Sequence, residues 1–380
     1  MSDTYTAALA LSDGSVFWGN GLGIEGTTYG EVCFNTSMSG YQEILTDPSY
    51  AGQIITFTFP HIGNVGVNLE DTESNVPAVR GVVLKCKISS PSSWRAAKTL
   101  NHWMTTHNLL GITGVDTRRL TRHIRDRGAC NGAICHSPND PINLESLIKK
   151  AMACPSLEGK DLASDVTCPK PYSWNQTLWS LSNGFGIQKK PKFKVVVIDF
   201  GVKQNILRSL AHKGCKMLVF PAKTCSQEIL SSNPDGIFLS NGPGDPAATG
   251  KYAVPVISDL LETQIPILGI CLGHQLLSLA IGASTSKMYM GHRGGNHPVQ
   301  NLKTGKVEIT TQNHGFVVNR NSLPNHVIET HRSLFDGSIE GIKLKKKPAF
   351  SVQFHPEASP GPHDSDYIFE QFIALMKAKT

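Results

Sequence analysis

The segment 266–275, PILGICLGHQ, constrains the fold of this chain more than any other stretch of its sequence. A short apolar strand runs into Gly269-Ile270-Cys271-Leu272-Gly273 and changes at once into a helical pattern, which is the cysteine version of the G-x-S-x-G nucleophile turn. The flanking glycines indicate a turn with no room for Cβ atoms on either side. We therefore expect Cys271 to adopt a strained backbone and to project above a sheet. A buried structural cysteine is the alternative, because free cysteine is among the most buried residue types.

The chain from residue 193 onward alternates short apolar strands with helical patterns. The runs KVVVIDFG, MLVFPA, GIFLSNGPG and PILGICLG indicate buried strands, and NILRSLAHKG has the apolar spacing of a helix. This rhythm predicts an α/β fold, with a doubly wound, mostly parallel sheet covered by helices on both faces.

The first half of the chain has a different pattern. Short strand-like runs such as TAALAL, EVCFN and QIITFTF, followed by helical pieces, predict a separate β-rich, mixed α/β domain over residues 1–152. Residues 153–192 contain Pro155, Pro169, Pro171 and Pro191 in a polar stretch, which predicts a connector. The second domain is then expected over residues 193–380.

Composition excludes several classes of protein. The 380 residues are 40% hydrophobic, so the chain is neither disordered nor fibrous. The net charge of +6 is not concentrated in one large basic block, and we therefore expect no nucleic-acid partner. Charged residues make up only 17%, against about 25% in an average globular protein. That low value favours a surface partly buried against another chain.

The sequence also predicts the compartment. The first residues, MSDTYTAALALSDGS, lack the basic start and uninterrupted apolar run of a signal peptide. The chain has no apolar run of about 20 residues, so no membrane span is expected. Nine cysteines without a C-x-x-C pair indicate reduced thiols, and hence a cytoplasmic protein. Because Cys130-x4-Cys135-His136 lacks the spacing of metal ligands, no metal site is expected either.

A base and an orienting group for Cys271 are predicted near the C-terminus. His355 follows the strand AFSVQF, at the edge of an open sheet where ligands bind. Glu357 lies two residues on, after Pro356, and could accept a hydrogen bond from one ring nitrogen while the other faces the thiol. A solvated or capping histidine is the alternative.

The loop Ser240-Asn241-Gly242-Pro243-Gly244-Asp245-Pro246 follows another strand of the same sheet. Its glycines allow backbone N–H groups to face a substrate oxygen at close range. A tight surface turn is the alternative, but the position at a strand end favours a role in the site.

These segments resemble a known family. The stretches G-I-C-L-G-H-Q, S-N-G-P-G-D-P and H-P-E resemble the signatures of class I, triad-type glutamine amidotransferases. The stretches F-N-T-S-M-S-G-Y-Q-E-I-L-T-D-P-S-Y and P-H-I-G-N-V-G-V-N resemble the small, glutamine-hydrolysing subunits of carbamoyl-phosphate synthetases. The resemblance covers nearly the whole chain. Some relatives carry serine at the nucleophile and have lost glutaminase activity, whereas this sequence keeps Cys271.

The resemblance implies a role for each site residue. Cys271 would be the nucleophile, His355 the general base and acid, and Glu357 the group that orients His355. Backbone N–H groups of Gly244 and Leu272 would form the oxyanion hole. The residues implied to hold glutamine are Ser49, Gly242, Gln275, Asn313, Gly315 and Phe316.

The resemblance also implies a partner. The chain has no G-x-x-x-x-G-K-[ST] loop, so ATP and its metal ion are expected on a large synthetase subunit, with no cofactor in this chain. The two chains would form a heterodimer that supplies carbamoyl phosphate for arginine, pyrimidines or both. The alternatives are another class I amidotransferase, a free-standing γ-glutamyl hydrolase, or a non-catalytic regulatory subunit.

Overall fold

The computed structural model describes residues 5–379. The chain divides into two compact units, of which one ends at Leu157 and the other begins at Glu158. Each unit has its own hydrophobic core.

Strands of the first unit close into a barrel, in the order β1-β2-β6-β5-β4-β3-β7. These strands are β1 (Ala7–Leu11), β2 (Val16–Gly23), β3 (Gly26–Asn35), β4 (Gln53–Phe57), β5 (Gly81–Val83), β6 (Leu110–Thr113) and β7 (Cys130–His136). The pairs β3–β4, β4–β5 and β5–β6 are parallel, and the others are antiparallel. Every residue of β4 and β5 is buried, as expected of parallel strands covered on both faces.

Helices of the first unit pack around this barrel. They are α1 (Tyr41–Thr46), α2 (Leu100–Thr106), α3 (Thr117–Arg127) and α4 (Leu144–Ala153), with a short 3₁₀ helix at Pro48–Tyr50. The helix α3 buries Leu120 and Ile124, and its N-cap Asp116 accepts a hydrogen bond from Arg119 N–H. The predicted β-rich, mixed α/β character of this half is therefore confirmed.

Strands of the second unit form one large sheet, in the order β16-β15-β17-β18-β19-β14-β13-β11-β12-β8, and a separate hairpin of β9 and β10. These strands are β8 (Tyr172–Trp174), β9 (Gln176–Ser180), β10 (Gly184–Ile187), β11 (Phe193–Asp199), β12 (Cys215–Pro221), β13 (Gly236–Leu239), β14 (Ile267–Ile270), β15 (Thr285–Asn301), β16 (Val307–Val318), β17 (Val327–Ser333), β18 (Ile339–Leu344) and β19 (Ala349–Val352). Strands β19, β14, β13, β11 and β12 run parallel, and antiparallel strands extend the sheet on both sides.

Helices cover both faces of the parallel strands. They are α5 (Ala163–Val166), α6 (Gln204–His212), α7 (Ser226–Ser231), α8 (Pro246–Glu262), α9 (Leu272–Ala280) and α10 (Tyr367–Lys379). Along β11, Val195 and Val197 pack in one core with α6 and α10, and Val196 and Ile198 pack in the other with α8 and α9. The doubly wound α/β prediction is confirmed. Within residues 5–379, no helix combines the length and the apolar character that a membrane span requires.

Residues 153–192, expected to be a connector, contain regular structure. The strand β8 pairs antiparallel with β12 and so extends the large sheet, and α5 contributes Ala163 to a core. The Cys168 N–H donates to the Asp199 carboxylate at 2.7 Å. Residues from Glu158 onward therefore belong to the second unit. The proline and polar content of this segment indicated a loop. The strand that pairs with β8 lies more than forty positions further along the chain, so the residues near β8 do not indicate the pairing.

Candidate active site

The turn at Cys271 has the geometry that its sequence predicts. Strand β14 ends at Ile270, α9 begins at Leu272, and Cys271 between them has φ 54° and ψ −105°. This backbone conformation is rarely adopted by a residue with a side chain. The thiol is nearly buried, and Cys271 Sγ donates to the Asn313 carbonyl oxygen at 3.5 Å.

The glycines on either side permit this turn. A Cβ atom on Gly269 would lie 2.6 Å from the Gly273 carbonyl oxygen, and one on Gly273 would lie 2.1 Å from the Leu239 carbonyl oxygen. Both distances are shorter than any real Cβ contact. The helix α9 therefore approaches β13 and β14 as closely as backbone atoms allow, and this approach fixes the position of Cys271.

His355 reaches the same edge of the sheet from the neighbouring strand. Strand β19 pairs in parallel with β14, with Ile270 opposite Val352, and His355 follows just beyond. The His355 Nδ1–H donates to Glu357 Oε1 at 2.7 Å, which is the contact predicted from their spacing. The other nitrogen, Nε2, is buried and makes no hydrogen bond of ordinary geometry among the described residues, but the Cys271 side chain is close enough to raise the pKa of the ring. This nitrogen is therefore available for proton transfer.

The surroundings favour a proton on His355. Burial lowers its pKa, but the Glu357 carboxylate and the Cys271 side chain outweigh burial and raise the pKa to about 10. Burial raises the pKa of Glu357, and the charges of Lys203 and His355 outweigh it, bringing the pKa to about 2. A proton that His355 takes from the thiol is therefore stabilised on the ring.

Lys203 is a site residue that the sequence analysis missed. Its Nζ donates to Glu357 Oε1 at 2.8 Å and to the Ala358 carbonyl oxygen at 2.9 Å. It follows β11, whose end lies at the same sheet edge as Cys271, and it directly precedes α6. The signal available was a lysine two residues after the apolar run KVVVIDFG, where a surface position is the ordinary interpretation.

Replacing Lys203 with methionine should lower the free energy of unfolding by about 3 kcal/mol, because it removes one of the two positive partners of the buried Glu357 charge and leaves only His355. The side chains of Lys203 and Glu357 are only 4% and 0% exposed, so water cannot replace the lost contact. Methionine keeps the apolar stem and removes the charge. Chemical denaturation at neutral pH measures the change.

Lys213→Met is the matched control. Lys213 caps the C-terminus of the same helix and pairs with Asp366 and Glu370, but these partners are 39% and 65% exposed. An exposed pair contributes at most about 1 kcal/mol. A loss at Lys203 no larger than that at Lys213 would contradict the proposed support of Glu357.

The loop after β13 lies beside the start of α9. A Cβ atom on Gly242 would lie 2.9 Å from the Leu272 side chain, so the loop and the first turn of the helix are in contact. Gly244 has φ 91°, which glycine adopts without strain. Leu272 is the first residue of α9, and its N–H is among those that have no acceptor within the helix. The structure therefore brings Gly242 and Leu272 together, while the oxyanion role of Gly244 and Leu272 stays a prediction.

The other predicted substrate residues of the second unit lie on β16 and α9. Asn313, Gly315 and Phe316 follow one another along β16, and Gln275 is one turn after the nucleophile. The Gln275 Nε2 donates to the Phe316 carbonyl oxygen at 2.8 Å and to Gln353 Oε1 at 3.0 Å. This side chain therefore ties the nucleophile helix to β16. Contact with glutamine stays a prediction for all four.

Ser49 lies in the first unit. It is buried in the 3₁₀ helix Pro48–Tyr50, where its N–H donates to Asp47 Oδ1 at 2.9 Å. This hydrogen bond satisfies the backbone N–H of Ser49. Its role in holding glutamine stays a prediction.

Two families match this chain. Residues 196–375 match the glutamine amidotransferase class-I family, and residues 9–134 match the CPSase domain of the carbamoyl-phosphate synthase small chain. The first match contains Cys271, His355 and Glu357, and the second runs from Leu9 in β1 to Ile134 in β7.

Curated relatives match along the whole length. A carbamoyl phosphate synthase small chain from Ruegeria pomeroyi is 57% identical, covering 98% of this chain and 97% of that protein. Proteins of the same name from Bradyrhizobium diazoefficiens and Mesorhizobium japonicum are each 56% identical, covering 98% of this chain and 96% and 95% of theirs.

Proposed function

This chain belongs to the family of carbamoyl phosphate synthase small chains, and from that premise we propose how its residues hydrolyse glutamine. It is the glutaminase subunit, with a class I glutamine amidotransferase domain. The observation that carries the residue assignment is the buried Cys271, His355 and Glu357 group at the ends of two adjacent parallel strands.

The first half of the reaction forms a thioester. His355 Nε2 takes the thiol proton of Cys271, and Sγ attacks the side-chain amide carbon of glutamine. The carbonyl electrons move to oxygen, where N–H groups of Gly244 and Leu272 stabilise the negative charge. When the C–N bond breaks, His355 gives its proton to the leaving nitrogen, and ammonia is released. The product on the protein is a γ-glutamyl thioester of Cys271.

The second half frees the cysteine. His355 takes a proton from water, the resulting hydroxide attacks the thioester carbon, and the C–S bond breaks to release glutamate while His355 returns the proton to the Cys271 sulfur. Glu357 keeps Nδ1 protonated and so leaves Nε2 as the nitrogen that accepts protons in both halves. Lys203 holds the Glu357 carboxylate in place. This chemistry needs no cofactor on this chain.

The partner in the proposal is a large synthetase chain that holds ATP and a metal ion and uses the ammonia to make carbamoyl phosphate. The first unit supports this, because hydrolysis of glutamine alone does not require such a domain. The intact Cys271, His355 and Glu357 group argues against a regulatory subunit without turnover. Nine cysteines, an odd number, support the cytoplasmic location that the sequence predicts.

Nitrogen transfer to the partner is the test. The purified chain is given glutamine labelled in its amide nitrogen, with and without the large chain, ATP and bicarbonate. We expect label in carbamoyl phosphate only when both chains are present, and glutamate release that rises about tenfold on pairing, an ordinary size for coupling between sites. Free ammonia in excess is the control for direct incorporation. Glutamate release that no partner changes would favour a free-standing hydrolase.

A further inference from the structure

Three buried side chains outside the catalytic group converge within the antiparallel part of the large sheet. His292 on β15 and His314 on β16 are directly opposite each other, and Glu340 comes from β18. One donor atom from each of the three lies within 4.8 Å of the donor atoms of the other two. The His292 and His314 rings are 5.0 Å apart and nearly perpendicular. We call these three residues the histidine cluster.

In each histidine of the cluster, one ring nitrogen contacts a hydrogen-bond acceptor that is not part of the cluster. The His314 Nδ1–H donates to the Phe316 carbonyl oxygen at 2.8 Å. His292 Nε2 lies 3.1 Å from Asp336 Oδ2, which accepts its proton. Metal-ligating histidines almost always donate their second ring N–H in this way, to a carbonyl or a carboxylate.

The remaining nitrogens have no hydrogen-bond partner among residues 5–379. They are Nε2 of His314 and Nδ1 of His292, and both atoms are buried from solvent. A buried nitrogen lone pair without a donor costs about 1–3 kcal/mol, so His314 Nε2 needs an explanation. The nearest carboxylate is Glu340, whose Oε1 lies 3.7 Å from His292 Nδ1.

We propose that the histidine cluster binds one divalent transition-metal ion, with Zn²⁺ as its best fit. Two imidazole nitrogens and a carboxylate oxygen are a common zinc set, and ligand atoms about 2.0–2.1 Å from zinc lie about 3.4 Å apart in a tetrahedron. The three donor atoms lie within 4.8 Å of one another, so binding would draw them together, by a small amount for His292 and Glu340 at 3.7 Å. His297, whose Nδ1 is also buried without a hydrogen-bond partner among the described residues, has its ring 5.2 Å from that of His292 and is a candidate for a fourth ligand.

Glu340 is already oriented for this role. Its Oε2 accepts from Gln312 Nε2 at 2.8 Å, and its Oε1 accepts from Ser338 Oγ at 3.2 Å. These contacts fix the carboxylate, which also lies beside His292. A bound cation would join the two side chains and would fasten β15, β16 and β18 together.

The cluster is separate from the catalytic chemistry but adjoins the substrate residues. Asn313, whose carbonyl oxygen accepts from the Cys271 thiol, directly precedes His314 on β16. The Phe316 carbonyl oxygen accepts from both His314 and Gln275. The metal would therefore stiffen the strand against which the nucleophile helix rests, without touching the reacting atoms.

Zinc binding by the full chain tests the proposal. The Cys271→Ala variant removes the catalytic thiol as a competing ligand, and Zn²⁺ alone is titrated against a chromogenic chelator after treatment with EDTA. We expect one equivalent of Zn²⁺ per chain and a rise in melting temperature. In the same background, Asp336→Asn should weaken binding by about 10- to 100-fold, as loss of an outer partner does. His292→Asn and Glu340→Gln should abolish binding of that equivalent.

His326→Asn, which changes an exposed histidine, is the matched control and should leave binding unchanged. The Asp336 side chain is 42% exposed, so Asp336→Asn tests the proposal even if changes inside the core prevent folding. No equivalent of Zn²⁺ bound by Cys271→Ala would overturn the site. Binding that survives both Asp336→Asn and His292→Asn would do the same, because it would place the metal on other ligands.

Discussion

Replacing Cys271 with alanine should lower glutamine hydrolysis by at least ~10⁴-fold, since loss of the nucleophile removes the covalent route and leaves only binding and oxyanion stabilisation. The thiol is buried, and its hydrogen bond to the Asn313 carbonyl oxygen is a weak one at 3.5 Å. Alanine therefore fits the space and leaves no strongly polar group unpaired. Glutamate release at saturating glutamine, followed together with the melting temperature, separates loss of chemistry from loss of fold.

The paired large chain provides the internal control. With free ammonia as the nitrogen donor, the complex containing Cys271→Ala should make carbamoyl phosphate at an unchanged rate, because that chemistry is proposed to lie on the partner. Cys271→Ser is the conservative variant, and we expect it to be nearly as inactive as alanine, because a hydroxyl is a far weaker nucleophile than a thiol. Glutamine turnover that survives Cys271→Ala would refute the mechanism.

Replacing His355 with asparagine should lower hydrolysis by at least ~10²-fold, the contribution expected of a positioned general base. Asparagine retains a donor that can reach Glu357 Oε1, which now lies 2.7 Å from His355 Nδ1. It has no group that can take a proton from the thiol at neutral pH. The measurement is kcat for glutamate release, with binding of glutamine followed separately by calorimetry.

Two further variants test the roles within this pair. Glu357→Gln should impair kcat less than His355→Asn, because Glu357 orients the ring and does not transfer the proton. It also removes the charge that raises the pKa of His355, so the ring should lose its proton at a lower pH than in the wild type. Titration of the ring by NMR checks that direction. A greater loss at Glu357→Gln, or a near-normal rate for His355→Asn, would contradict the assignment, and His326→Asn controls for histidine loss in general.

The parts of the site that could be predicted from sequence are those encoded within a few residues. Gly269, Cys271 and Gly273 describe a complete turn, because their steric requirement is local. The contact of His355 with Glu357 spans two positions, and the proline between them leaves few conformations. The strand and helix alternation after residue 193 predicted the doubly wound sheet for the same reason.

The parts that escaped depend on contacts distant in sequence. Lys203 and Glu357 are 154 positions apart, and nothing near either residue indicates the other. Strand β8 pairs with residues about 45 positions further on, so the polar composition of residues 153–192 predicted a connector. His292, His314 and Glu340 lie on three strands, and no metal-ligand spacing relates them in the sequence.

The backbone conformation of Cys271 lowers the stability of the fold at the position where the reaction requires a thiol. Its φ of 54° lies in a region that glycine adopts without strain. For any other residue this conformation costs on the order of 1–3 kcal/mol. Glycine at 271 would relieve that strain, yet it would delete the only thiol in the catalytic group. Selection for thermal resistance alone would therefore favour glycine at position 271, which would make the protein inactive. Any programme that stabilises the chain by relaxing unusual backbone angles should leave this residue untouched.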